Sequence, residues 1–125
     1  MNENRLTEEI IGAAIEVHRA PGPGLLESIY EECLAIELEL RGLGFERQRP
    51  VQIAYKGRRV AGDLRIDLLV DHKVVAELKA VERLLPVHEA QLLTYLRLSN
   101  MKVGLLINFN VPILKDGIKR MVNNY

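Results

Sequence analysis

What this chain has little of narrows it first. It holds one cysteine, Cys33, which excludes an internal disulfide and a cysteine-only metal site. Set in an apolar helical pattern, Cys33 reads as a buried thiol. Tryptophan is absent and aromatics are 5% of residues, so Leu, Ile and Val must fill the core. Charge of one sign is missing too. Lys and Arg number 17, Asp and Glu also 17, and the formal net charge is zero. A neutral chain exerts no overall pull on nucleic acid, which counts against an unassisted, tight DNA binder. No apolar run is long enough to span a bilayer, and the opening "MNENRLTEEI" is polar and acidic, unlike a secretory leader. A soluble cytoplasmic protein with no membrane partner is the expectation.

What is there suits one domain. The 125 residues are 48% hydrophobic, enough to bury a core. In "LTEEIIGAAIEVHRA", Leu6, Ile10, Ala13, Ala14 and Val17 recur at helical spacing. "PGPG" at 21–24 stops that helix. A second helix is expected from about Leu25 to Arg41, with Leu26, Ile29, Cys33, Ile36 and Leu40 on one face, ended by Gly42 and Gly44. The period then changes. "VQIAY" at 51–55 alternates as a strand does, and "YKGR" reads as a hairpin turn. Two more strands follow at 60–70 and 73–81. Pro86 suits the first turn of a third helix, which should reach about Leu98 with Asn100 as a left-handed cap. "VGLLI" at 103–107 is a fully apolar strand, expected parallel to the 73–81 strand. The tail is ambiguous: "GIKRMV" suits a short strand, and Pro112 a short helix. The order implies α/β architecture, a mixed sheet with helices against it.

The chemistry concentrates in "RIDLLVDHKVVAELKA", residues 65–80. Side chains alternate across a strand. Leu64, Ile66, Leu68 and Val70 with Val74, Ala76, Leu78 and Ala80 should form one apolar face. The other face carries Asp63, Arg65, Asp67 and Leu69 opposite Lys73, Val75, Glu77 and Lys79. A three-residue loop, Asp71-His72-Lys73, keeps the two apolar sets together. It sets Asp67 opposite Glu77 and Arg65 opposite Lys79, and Asp and His tolerate the left-handed backbone such a loop can need. Facing carboxylates repel unless something positive lies between them. Hard oxygen donors without Cys or a His cluster point to Mg²⁺ or Mn²⁺ rather than Zn²⁺. The plain alternative is an exposed sheet face with a cross-strand salt network.

Asp67 followed by Glu77-Leu78-Lys79 resembles the Asp…Glu-X-Lys signature of the PD-(D/E)XK nuclease superfamily. Gln91-Leu-Leu-Thr-Tyr95 is similar to the Gln-x-x-x-Tyr motif found on the helix after the lysine strand in some branches. Gly24-Leu-Leu-Glu27-Ser-Ile-Tyr30 resembles the signature of the small GxxExxY family, as does "AELKAVERLLPVHEAQLLTYLRLSNMKVGLLINF". The resemblance covers almost the whole chain. It implies a restriction-endonuclease-like αβββαβ core, a mixed sheet flanked by helices, in one PD-(D/E)XK-like domain over residues 1–125. It implies a Mg²⁺-dependent nuclease acting on DNA or RNA, with Asp67, Glu77 and the Leu78 backbone carbonyl as metal ligands and Lys79 as the residue that positions the attacking water. Glu27 matches a helix-borne glutamate that completes such sites. Ile66 stands where the name-giving proline would precede Asp67, and the expectation from these 125 residues is a domain without an appended DNA-recognition domain. The alternative is a catalytically weak nuclease-fold module that binds nucleic acid, a nucleotide or a protein partner. A core this small could also dimerise to build a substrate groove.

Each supporting residue has a plainer reading. Glu27 sits early in its helix, where the dipole favours a carboxylate. Tyr30 shares its face and can simply pack. Gln91 and Tyr95, one turn apart, either support the site or form a helix–sheet packing pair. His88, one turn before Gln91, reaches the site or is an ordinary surface or core histidine. His18 and His72 read as helix-end and turn residues. Arg47, Arg49, Arg58 and Arg59, around the first hairpin, read as a charged solvated edge, with phosphate contact as the other reading.

Overall fold

The structure is a computed structural model that describes residues 1–124. Its elements are α1 (Glu3–Arg19), α2 (Glu27–Leu40), β1 (Phe45–Tyr55), β2 (Arg58–Val70), β3 (Val74–Lys79), α3 (Pro86–Ser99), β4 (Val103–Asn108) and β5 (Ile118–Val122). The run α2-β1-β2-β3-α3-β4 is the αβββαβ order read from the sequence. The five strands lie in the order β1-β2-β3-β4-β5. Among the described residues β3 and β4 pair in parallel and the other neighbours antiparallel, so the sheet is mixed. The ambiguous tail holds both features, a single 3₁₀ turn at Leu114–Gly117 and then β5. Among the described residues no helix is long and apolar enough to cross a membrane.

Two apolar clusters place the layers. On one face of the sheet, Leu68, Val70, Val74, Ala76, Leu78, Leu105 and Ile107 meet α1 and α2. On the other, Ile66, Leu69, Val75 and Leu106 meet Leu92, Tyr95 and Leu96 of α3. Each fully buried leucine contributes roughly 1.5–3 kcal/mol. Helix α3 comes so near β4 that a Cβ on Gly104 would lie 2.9 Å from Leu92 Cδ1. Asn100 ends α3 with φ 55° and ψ 42°, the left-handed cap its position suggested.

Helix α1 buries the expected set, Leu6, Ile10, Ala13, Ala14 and Val17. Helix α2 does not. Its buried residues are Tyr30, Glu31, Leu34, Ala35 and Leu38, while Leu26, Ile29, Ile36 and Leu40 are exposed and Cys33 is half-buried. Two apolar stripes compete on this helix, and the buried aromatic decides. The Tyr30 ring stacks on Phe109 at 4.5 Å with an 8° interplanar angle. Its hydroxyl donates to Gly22 O at 2.6 Å and accepts from Leu25 N–H at 3.1 Å. Those contacts fix the rotation of α2 and turn the Leu40 stripe outward.

The β2–β3 hairpin turns through Asp71-His72-Lys73, with φ 51° at Asp71 and 54° at His72. Leu68 faces Ala76, Leu69 faces Val75 and Val70 faces Val74, the register the three-residue loop requires. The expectation of one unbroken apolar face fails in β2. Leu64 and Ile66 pack with Leu69 on the α3 side, whereas Leu68 and Val70 face α1 and α2. The alternation breaks at Asp67. Across from it, between the pairs Arg47–Leu68 and Arg49–Ile66, lies Gln48 of β1 with φ 51°. The pleat is thus interrupted on both strands at the position of the acidic residue.

Candidate active site

The strand positions of Asp67 and Glu77 prompt the question of how two facing carboxylates are accommodated. The β2–β3 ladder ends at Leu68–Ala76. Beyond it the strands are joined by side chains. The Asp67 backbone N–H donates to Glu77 Oε1 at 3.0 Å, and the Leu78 backbone N–H donates to Asp67 Oδ2 at 2.9 Å. Each carboxylate thus satisfies an amide that the ladder has abandoned on the opposite strand. The exchange orients both acids and holds the strands apart at that point.

Glu77 is only 4% exposed. Among the described residues neither Glu77 nor Asp67 has a cation within ion-pair distance. Burial, and then the charge of Asp67, push the Glu77 carboxyl up to about 9, against a smaller lowering by the Asp67 amide and Lys79. Without a cation, Glu77 therefore holds a proton at neutral pH. Helix α2 brings Glu27 close enough to feel the same charges. Its pKa is raised by burial and by Asp67 and lowered by Lys79. Tyr95, on α3, is raised by burial, then by Glu77 and Asp67. Gln91 Nε2 donates to the Tyr95 hydroxyl at 3.2 Å. The structure thus brings Glu27, Asp67, Glu77, Lys79 and Tyr95 into one electrostatic neighbourhood, with Gln91 attached through Tyr95.

Lys79 is half-buried, and its backbone is anchored. Its carbonyl accepts from Phe109 N–H at 2.9 Å, and it lies opposite Asn108 in the β3–β4 pair. Asn108 is 1% exposed. Its Oδ1 accepts from Val81 N–H at 3.0 Å and from Asn110 N–H at 3.2 Å, and its Nδ2 donates to Val81 O at 2.9 Å. This buried amide holds the exits of β3 and β4 together just past Lys79.

Two further side chains attach to the group without having been read from the sequence. Gln48 Nε2 donates to Glu31 Oε1 at 2.7 Å and to Asp67 Oδ1 at 3.2 Å. Glu31, buried on α2, also takes Arg47, with Nη2 at 3.1 Å. Glu31 stands one helical turn beyond Glu27, a spacing that signals a shared face. Gln48 has no such signal, since its role follows from the left-handed backbone that interrupts β1. An open hollow lined by Leu26, Glu27, Ser28, Glu31, Gln48 and Asp67 exposes this side of the site.

Tyr30 and His88 are engaged elsewhere. Tyr30 closes the loop before α2, as described, and Gly24 in that loop takes φ 104°, a conformation side chains resist. The Gly24…Glu27…Tyr30 spacing is thus a loop clamp that aims the start of α2, where Glu27 sits. His88 Nδ1 accepts the Leu85 backbone N–H at 3.0 Å and caps the start of α3. His18 is buried in the last turn of α1, with Nε2 2.8 Å from Val111 O, and His72 is an exposed turn residue.

Among the described residues no three or more His, Cys, Asp or Glu side chains converge closely enough to hold an ion between them. The donor set nonetheless fits a hard divalent cation. It offers two carboxylates on adjacent strands, oxygen donors only, and a buried acid that lacks a positive partner. Glu27 is an outlying third carboxylate.

The sequence model of the PD-(D/E)XK nuclease superfamily matches residues 4–121. That span takes in α2, the whole hairpin and α3. Comparison with curated proteins and with solved structures gave no match. Nucleases of this superfamily generally depend on a divalent metal.

Proposed function

Because the chain belongs to the PD-(D/E)XK nuclease superfamily, we propose that it hydrolyses phosphodiester bonds of DNA or RNA with Mg²⁺ or Mn²⁺. The carrying observation is the reciprocal pair in which Asp67 and Glu77 each accept the other strand's amide, with Glu77 buried and unpaired beside Lys79. Asp67, Glu77 and the Leu78 carbonyl would hold the cation, with Glu27 completing the set. A divalent cation there supplies Lewis-acid stabilisation of phosphate charge and a more acidic attacking water. Lys79 orients that water and offsets charge that develops on the phosphate oxygens. Tyr95, its hydroxyl kept protonated by its surroundings, donates to a phosphate oxygen, and Gln91 holds it in place. The Gly24, Glu27 and Tyr30 clamp supports placing the chain with the GxxExxY proteins, as one nuclease-like domain whose partner is a nucleic acid.

Zero net charge favours a second reading, a nuclease-fold module that binds nucleic acid, a nucleotide or a protein and turns over little. Cleavage assays separate the two. Wild type, Lys79→Ala and Glu77→Gln are compared on labelled DNA and RNA with Mg²⁺ or Mn²⁺. The phosphodiesterase reading expects cleavage by wild type and a loss of about 10²-fold or more in each variant. Cleavage that survives both changes refutes it, and absence of wild-type cleavage together with absence of metal binding by calorimetry favours the module.

A further inference from the structure

The first hairpin outruns the sheet. Strand β2 pairs with β3 only through Leu68–Val70, while its pairing with β1 runs out to Tyr55–Arg58. Residues 54–63 are all exposed. The tip is a tight turn with φ 51° at Lys56 and 75° at Gly57, the left-handed pair of a twisted two-residue hairpin loop. A two-stranded ribbon buries little and is marginal by itself. This one has no packing reason to be so long.

Its charge is one-sided in a neutral chain. From Gln52 to Gly62 there are Lys56, Arg58 and Arg59 and no acidic residue. Nearer the body, the arginines are already paired: Arg47 with Glu31, Arg49 with Glu46, and Arg65 with Asp63. The side chains of Arg58 and Arg59, by contrast, have no ion pair or hydrogen-bond partner among the described residues. Lys56 lies 5.5 Å over the Tyr55 ring, and Tyr55 is 65% exposed directly opposite Arg58. Arg58 shares a ribbon face with the exposed Tyr55 ring and Arg59 lies on the other face, so the tip offers cations on both sides and an aromatic on one to a strand that carries phosphates and ring faces. An open hollow at the base of the ribbon, of about 420 Å³, is lined by Arg49, Gln52 and Arg59. Its two acids, Glu46 and Asp63, are those already paired.

We propose that the β1–β2 ribbon is a nucleic-acid-binding arm, in which Tyr55, Lys56, Arg58 and Arg59 grip the phosphodiester backbone away from the bond that is cut. The strand that carries Arg59 also carries Asp67. At about 3.3 Å per residue the two lie roughly 26 Å apart along β2. With about 3.4 Å between successive base pairs, the arm reaches roughly eight base pairs from the site. This proposal rests on the phosphodiesterase reading for its substrate, but its test does not require turnover.

The test uses the full chain, wild type and the Arg58→Ala plus Arg59→Ala double variant. Fluorescein-labelled DNA and RNA of 6 and 24 nucleotides, single- and double-stranded, are titrated by anisotropy in Ca²⁺ across a salt series. Cleavage of the same molecules is followed in Mg²⁺. On 24-mers the variant should bind about 10-fold more weakly. On duplexes its log K against log salt slope should also flatten by about 2, as for two lost phosphate contacts. On 6-mers, too short to span the arm and the site together, the variant should lose clearly less than on 24-mers, because a 6-mer seated at the site never meets the arm. Equal affinity on 24-mers, or equal losses at both lengths, overturns the arm. If wild type and variant cleave 24-mers alike at limiting enzyme, the arm falls and the phosphodiesterase reading stands. If wild type cleaves nothing but the length-dependent loss of binding is seen, that reading falls and the arm stands. The DNA and RNA series then report which backbone the arm prefers. Circular dichroism checks the fold of the variant, whose changed residues are exposed.

Discussion

Replacing Glu77 by Gln should stabilise the metal-free protein, although it removes a residue proposed to hold the metal. Glu77 is raised from 4.5 to about 9 by burial and by Asp67. Below about pH 4.5 the folded and unfolded chains both keep this proton, and the shift has no effect on stability. Between 4.5 and 9 the unfolded chain ionises while the folded chain still holds its proton, so stability falls as pH rises. Above 9 the loss is complete. At 1.36 kcal/mol per pH unit, the loss reaches about 3 kcal/mol by pH 7. Gln cannot ionise, and its carbonyl oxygen can still accept from the Asp67 amide in place of Glu77 Oε1.

The assay is urea or thermal unfolding of EDTA-treated wild type and Glu77→Gln at pH 5, 7 and 8.5. At pH 5, just above the unfolded value, the variant should lead by no more than about 1 kcal/mol. By pH 7 the variant should lead by about 3 kcal/mol, or about 10 °C in Tm for a domain this size. Mn²⁺ or Mg²⁺ should then close the gap by stabilising wild type only. Calorimetry in buffers of different ionisation enthalpy should record about one proton released per ion bound at pH 7, because a carboxylate must lose its proton to ligate. A pH-independent difference, or a variant less stable than wild type at pH 8.5, would refute the account of Glu77.

The face of α2 gives a sharp comparison. Leu38→Ala, at a fully buried position, should cost about 2–5 kcal/mol, while Leu40→Ala, 77% exposed, should stay within about 0.5 kcal/mol. Denaturant unfolding decides it, and the reverse order would restore the stripe first read from the sequence. Tyr30→Phe keeps the ring stacked on Phe109 but removes the hydroxyl that joins Gly22 O to Leu25 N–H. It should cost about 1–2 kcal/mol in the same unfolding assay. Cleavage should also fall, because the loop that aims Glu27 loosens, and unchanged activity would reduce the motif to a stability feature.

Much of this fold was legible because local signals agreed with one another. Asn100 as a left-handed cap and Pro86 at a helix start each followed from a residue type at a marked position, and the parallel β4 from the strand–helix–strand order. The hairpin register followed from parity, since a slip of one residue would have sent an apolar set to the wrong face. What escaped was decided by tertiary contact. The rotation of α2 depends on Tyr30 meeting Phe109, a residue 79 positions away, and periodicity alone cannot choose between two apolar stripes. The Gln48 link to Asp67 was hidden because β1 begins at Phe45, before the alternation that announces it.

The same kind of contact explains why parity failed at the one place where function concentrates. A regular ladder through Asp67 and Glu77 would have paired their amides with carbonyls and left the acids as a like-charged cross-strand pair. Breaking the pleat at Gln48 and Asp67 removes those backbone partners, and the carboxylates take over as acceptors. The repulsion is then answered by a proton on Glu77 or by a cation. A local rule is broken there, and the compensation is the site itself. An Asp67→Asn change tests that logic. The amide oxygen can still accept from Leu78 N–H, but with the Asp67 charge gone Glu77 should titrate lower than in wild type. Carboxyl-selective NMR titration would read the shift, and an unmoved Glu77 would mean that burial alone sets its pKa.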